Sequence, residues 1–259
     1  MKTKIGVIGH NGVVGGAIFK ALKADYGLSL NEGSYTEMAK ADIVFVAAPT
    51  PQAEDTSVDM SIINEVISKL HEHQIKKQIV VIKSTVLPGT NAKLSEKYPS
   101  FDFVSSPEFL TEANPLQDFL SPDRVVIGTD NEKIFSIIKK IYAPVLLSGN
   151  TTCIFCSPIE AELIKYLANS FLAMKVIFAN EAKGVCDLVG ADYGTVRLGM
   201  ALDSRIGFSH LKVSKEGGFG GMCFPKDTSG FLSFSRTIGA DCSLIEATVK
   251  KNRKIRNAD

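Results

Sequence analysis

Short apolar runs alternate with stretches of helical spacing through the first 157 residues, and this alternation limits the fold more than any other feature. Apolar runs lie at Lys4–Ile8, Ile43–Ala47 and Ile79–Ile82, with shorter ones at Phe103–Ser105 and Val125–Ile127. A run with almost no polar position buries both of its faces, as strands of a parallel sheet do. Between the runs, Ser61–Leu70 sets Ile62, Ile63, Val66, Ile67 and Leu70 at helical spacing, and Val14–Lys23 and Glu132–Ile141 also read as helices. Tyr26–Leu30 reads as a further strand, ending at Asn31-Glu32. Parallel neighbours need crossover connections, and helices supply them. The expectation for residues 1–157 is a doubly wound α/β domain built on a parallel sheet.

The pattern changes after Ser157. Pro158 suits the first position of a helix, and Ile159–Val189 contains few breakers, so one long helix is expected there. The remainder is helical in tone, with a long glycine-rich loop at Lys215–Gly221. Residues 158–259 are therefore read as a long helix plus a small all-helical domain. Leu163, Leu167, Phe171, Leu172, Val176 and Ile177 spread over more than one helix face, which asks for more than one packing partner.

Composition excludes several classes. Net charge is +1, so nothing draws the chain to nucleic acid or to a membrane surface. The apolar stretch after Lys4 is broken by glycines and His10, unlike a signal peptide, and no run is long enough to span a bilayer. Five cysteines without framework spacing suit a reducing, cytoplasmic setting. Cys153 and Cys156 form a C-x-x-C pair with no second pair for a four-thiolate zinc site, and strand packing is the expectation. The basic run Lys250, Lys251, Arg253, Lys254, Arg256 reads as a solvated helix end.

Gly9-His10-Asn11-Gly12-Val13-Val14-Gly15 follows the first strand and opens a helix. Glycines there let backbone approach a pyrophosphate, and the helix N-terminus presents unpaired amides to it. Gly9, Asn11, Gly12, Val13, Val14 and Gly15 are thus candidate dinucleotide contacts, although the first glycine spacing is one residue longer than G-x-G-x-x-G. The alternative is a tight strand-to-helix turn without a ligand. Glu32 is the candidate acid for the ribose hydroxyls but matches the usual position poorly. His10 reads as a loop residue near phosphate.

Gly217-Gly218-Phe219-Gly220-Gly221-Met222-Cys223-Phe224-Pro225-Lys226-Asp227 places one cysteine on a glycine-rich turn, with a lysine and an aspartate within four residues. A thiol beside a cation can ionise and act as a nucleophile. Further segments are Val44-Phe45-Val46-Ala47-Ala48-Pro49-Thr50-Pro51, Lys83-Ser84-Thr85-Val86, Ser106-Pro107-Glu108-Phe109-Leu110-Thr111-Glu112 and Glu160-Ala161-Glu162-Leu163-Ile164-Lys165-Tyr166-Leu167-Ala168-Asn169. In this order, over nearly the whole chain, they resemble the UDP-glucose/GDP-mannose dehydrogenase family.

The resemblance implies a Rossmann-like domain, NAD as cofactor, and oxidation of a nucleotide-sugar primary alcohol to a carboxylate in two hydride transfers. It implies Cys223 as the nucleophile that makes a thiohemiacetal and then a thioester. It assigns Lys165 and Asn169, one helical turn apart, to the reacting oxygen, and Asp227 to a proton relay through water. By the same resemblance Glu112 handles the hydrolytic water and Thr85 orders a water near the reacting centre. Thr50, Thr85 and Lys226 lie beside the cofactor. Glu108, Phe109, Leu110, Glu112, Lys212 and Gly220 border the sugar, and the chain forms a homodimer. No metal is implied.

Two departures bear on this. The stretch between Gly27 and Ala41 is shorter than the family's, which points to a weaker grip on adenosine. The family continues into a second Rossmann-like domain that holds the nucleotide, whereas this sequence stops at Asp259. Three readings stay open: a compact dehydrogenase completed by a partner or a smaller substrate, a shortened NAD-binding relative with poor turnover, and a one-step hydroxy-acid dehydrogenase of the 6-phosphogluconate type.

Overall fold

A computed structural model describes residues 2–30, 33–111, 113–147 and 151–256. By internal contacts it divides into a first unit, Met1–Pro51 with Val58–Lys165, and a second, Gln52–Ser57 with Tyr166–Asp259.

The first unit is the expected α/β domain. Its elements run β1 (Ile5–Ile8), α1 (Val13–Ala21), β2 (Tyr26–Leu28), α2 (Tyr35–Met38), β3 (Ile43–Val46), α3 (Ser61–Glu72), β4 (Gln78–Ile82), α4 (Thr90–Lys97), β5 (Phe101–Ser105), α5 (Pro115–Leu120), β6 (Arg124–Gly128), α6 (Glu132–Ile141), α7 (Ala143–Leu146) and β7 (Thr152–Cys156). The strands form one sheet in the order β2-β1-β3-β4-β5-β6-β7. Alternate residues of each strand feed opposite cores, as the two-residue period of a strand requires. Val44, Val46, Val80 and Ile82 pack with Ile63, Val66, Ile67 and Leu70 of α3 on one face. Ile43, Phe45, Ile79 and Val81 pack with α1, α6 and α7 on the other. Burying each such aliphatic side chain contributes roughly 1.5–3 kcal/mol.

Three local expectations change. The sheet is parallel from β2 through β5, but β6 pairs antiparallel to β5, at Ser105 and Gly128, and β7 runs parallel to β6. Among its described residues the link from β5 to β6 carries the short α5, which does not return the chain for a parallel pairing. The strand expected over Tyr26–Leu30 stops at Leu28. The helix expected to reach Lys23 ends at Ala21, because Lys23 adopts a left-handed backbone, φ 49°.

Cys153 and Cys156 both lie in β7. Residues three apart on a strand point to opposite faces, so the pair cannot close on a common metal, and Cys153 packs against the core.

The long helix α8 spans Pro158–Val189, as its unbroken sequence predicts. Its first turns belong to the first unit and the rest to the second. The second unit adds α9 (Tyr193–Ala201), α10 (Phe224–Thr237) and α11 (Ser243–Arg256). Its described cores are small: Ala173, Ile177 and Phe219 form one, and Ala179, Ala201 and Leu211 another. Among the described residues no helix is long and apolar enough to cross a membrane.

Candidate active site

The glycine turn lies where the strand order reverses, between β1 and β3, the position at which open α/β sheets receive ligands. Gly9 has φ 86°, and a Cβ there would sit 2.4 Å from the Ala47 carbonyl oxygen. A Cβ on Gly15 would sit 2.1 Å from the Gly9 carbonyl oxygen. Backbone touches backbone at both positions, so neither tolerates a side chain. Gly12 is the N-cap of α1 and supplies no side-chain cap, which leaves the first amides of α1 to an anionic ligand. The turn therefore fits the dinucleotide expected from its sequence. Gly9→Ala is expected to lower unfolding stability by about 2 kcal/mol or more, combining left-handed strain with the clash; urea titration followed by circular dichroism measures it.

His10 does not face outward from the turn. Its ring packs at 5.3 Å from that of Phe19, and a Cβ on Gly27 would meet it at 2.8 Å. Glu32 and Glu112 lie outside the described residues, so their assigned roles have no geometry here. Among its described residues the short segment before Ala41 holds the four-residue α2.

Within the first unit, the loops after β3, β4 and β5 bring several expected residues together. Thr50 donates its hydroxyl to the Thr85 carbonyl at 2.9 Å. Lys165 of α8 donates its ammonium to both the carbonyl oxygen and Oε1 of Glu108, each at 2.9 Å. The other Glu108 oxygen accepts the Leu110 amide at 2.6 Å, so both carboxylate oxygens are held. The pair is almost fully enclosed, with side chains 5% and 11% exposed. The Phe109 ring carries two cations, the Arg124 guanidinium at 3.8 Å and the Lys165 ammonium at 5.7 Å. Thr85, Ser105, Glu162 and Lys165 help line a cavity of about 10 Å³, the size of a single water site.

Within the second unit, Asn169 donates its side-chain amide to Asp227 Oδ2 at 2.6 Å. Lys226 donates to Oδ1 of the same carboxylate at 2.6 Å. Asp227 is 1% exposed, and a buried carboxylate is stable only when its oxygens are occupied in this way. It is not a helix cap: the N-cap of α10 is Cys223, whose carbonyl accepts the Asp227 amide at 2.8 Å. Cys223 is half-buried at the start of α10.

Three residues that the sequence did not assign to the site shape the glycine loop. Asn180 of α8 accepts the Gly218 amide at 3.0 Å. Asn252 of α11 accepts the Phe219 amide at 2.7 Å and returns a bond to its carbonyl at 3.0 Å. Arg256 donates to the Gly217 carbonyl at 3.2 Å, so the basic run is not simply a solvated helix end. Gly217, Gly218 and Gly221 all have positive φ, which only glycine adopts without strain. A cavity of about 530 Å³ opens beside Gly220, Gly221, Pro225, Asn252 and Arg256. Lys212 is exposed.

A doubly wound sheet with a glycine turn at its switch point, followed by a long helix and a helical unit, defines a dinucleotide-binding dehydrogenase architecture. Residues 12–146 match the NAD binding domain of the UDP-glucose/GDP-mannose dehydrogenase family, and residues 159–254 match its central domain. The chain belongs to that family and carries its NAD-binding domain. It is 39% identical over 222 residues to the UDP-glucose 6-dehydrogenase of Rickettsia bellii, covering 84% of this chain and 50% of that one. It is 37% identical over 229 residues to UDP-glucose 6-dehydrogenase TuaD of Bacillus subtilis, covering 83% and 47%. Among solved structures, the UDP-glucose dehydrogenase of Pyrobaculum islandicum superposes with a TM-score of 0.87 at 29% identity, over 98% of this chain and 68% of that one. The chain spans about half the length of the relatives it matches.

Proposed function

We propose that the chain performs the NAD-dependent oxidation of a nucleotide-sugar primary alcohol to the uronic acid, with UDP-glucose as the first substrate to test. The buried Asn169–Asp227 bond carries this reading, because it ties the expected oxygen-binding amide to the expected proton-relay carboxylate one helical turn from Cys223. NAD, when bound, removes a hydride at each of the two oxidations.

Each remaining step belongs to the chain. Lys165 and Asn169 hold the reacting oxygen, and Asp227 takes the alcohol proton through a water that Thr85 helps to order. The Cys223 thiolate then adds to the aldehyde carbon, and the carbonyl oxygen gains a proton from the same relay. Loss of the second hydride from this thiohemiacetal, with its hydroxyl proton returned to the same Asp227–water relay, leaves a thioester. Water directed by Glu112 breaks the carbon–sulfur bond, releasing the acid and restoring the thiol. Thr50 and Lys226 stand on the cofactor side. Glu108, Phe109, Leu110, Lys212 and Gly220 border the sugar. Incubation with NAD and a panel of nucleotide sugars tests the reading: two NADH per sugar supports it, and one per sugar points to a one-step dehydrogenase.

The protein works as a homodimer in this proposal, in a reducing, cytoplasmic setting. Leu167, Phe171, Phe178 and Val185 share one stripe of α8 by helical spacing, and Phe171 and Phe178 are 60% and 55% exposed. Light scattering is expected to give a dimer at micromolar concentration, and Phe171→Glu with Phe178→Glu a folded monomer. A wild-type monomer would contradict the assembly.

A further inference from the structure

The four residues Ser105–Glu108 at the end of β5 are gripped by two buried ionisable side chains that the proposed chemistry does not use. Lys83, 4% exposed at the end of β4, donates to the Ser106 hydroxyl and the Pro107 carbonyl, both at 3.3 Å, and to the Tyr142 hydroxyl at 3.2 Å. These partners are all neutral. Its ammonium also lies 5.6 Å from the centre of the Tyr142 ring. Glu162, 3% exposed on α8, accepts the Ser105 hydroxyl at 3.1 Å and the Gly89 and Asn91 amides at 2.6 and 2.9 Å. Burial raises its pKa above the ordinary carboxyl value, against the lowering pull of those bonds.

Burying a lysine and a glutamate is expensive, and apolar side chains of similar volume would hold a fold at lower cost. What these two do that apolar residues would not is fix direction. Glu162 sets α8 against the start of α4 and the end of β5, three residues before Lys165 on the same face of the helix. Lys83 sets the peptide on which Glu108 is carried. The Glu108–Lys165 pair closes between them at 2.9 Å. We propose that Lys83 and Glu162 are positioning residues that together set the Glu108–Lys165 pair. This rests on the reading above only for what Lys165 does in catalysis; the placement itself is independent of it.

The test uses the whole chain with Lys83→Met and Glu162→Gln, which keep approximate size. Gln78→Met is the control, since Gln78 is a buried polar staple at the other end of β4, bonded to the Met38 and Ala41 carbonyls. Limiting acetic anhydride followed by mass spectrometry reads the protection of the Lys165 amine relative to exposed lysines. Several-fold faster labelling of Lys165 is expected in Lys83→Met and Glu162→Gln, and none in Gln78→Met. In NADH assays well below the melting temperature, kcat should fall by up to about 10²-fold with KM for NAD unchanged, as a displaced catalytic group predicts. Lys165 labelling equal to wild type in the two folded variants would overturn the proposal. Wild type that forms no NADH would sink the functional reading and leave the labelling to decide this one. Should either variant fail to fold, Ser106→Ala and Ser105→Ala remove one partner each; unchanged Lys165 labelling in both likewise overturns it.

Discussion

Cys223→Ser is expected to keep the fold and lose the second oxidation. A serine hydroxyl is a far weaker nucleophile than a thiolate at neutral pH, and an ester is a poorer covalent relay than a thioester. NADH per sugar should drop from two to at most one. The same thiol should react first with limiting iodoacetamide. Burial and the nearby Glu160 push the Cys156 thiol up to about 11, and burial raises that of Cys153. Cys186 is buried in α8. Cys223 and Cys242 are each half-buried just ahead of a helix, and of the two only Cys223 has a lysine, Lys226, within three residues to favour its thiolate. Mass spectrometry gives the labelling order directly. If another cysteine labels first, or if the serine variant still yields two NADH, the thiohemiacetal route is wrong for this chain.

Asp227→Asn should lower kcat by roughly 10²–10⁴-fold, the range for loss of a positioned acid–base group. The substitution conserves volume, and an asparagine oxygen still accepts the Asn169 amide. What disappears is the charge that Lys226 pairs with and the basic site for the alcohol proton. Lys226 is 21% exposed and can turn to solvent, so the fold should survive; circular dichroism checks this alongside the rate. A variant with wild-type kcat would reduce Asp227 to a packing role.

Much of the fold was legible because strand and helix periods are local. Ile62, Ile63, Val66, Ile67 and Leu70 marked α3 by spacing alone, and the breaker-poor stretch after Pro158 marked α8 almost to the residue. The direction of β6 and β7 was not legible, since an apolar run reads the same forwards and backwards. Direction is fixed by whether a connection has the length and path to cross over, and only the folded chain shows that α5 does not provide one.

The glycine turn and the cysteine loop were fixed by the sequence itself, because both rest on residue types with few physical substitutes. Only glycine fits at Gly9, Gly15 and Gly217, and only Cys223 among the loop side chains offers a thiol. Tertiary structure alone decided which polar groups are buried and what they hold. Glu162 meets partners more than 50 residues away, Asn252 meets Phe219 33 residues away, and Lys83, read only as part of a motif, turns out to be enclosed. Such pairings follow from the packing of whole elements, and the cost of burying an unpaired polar group makes them specific only once the chain has folded around them.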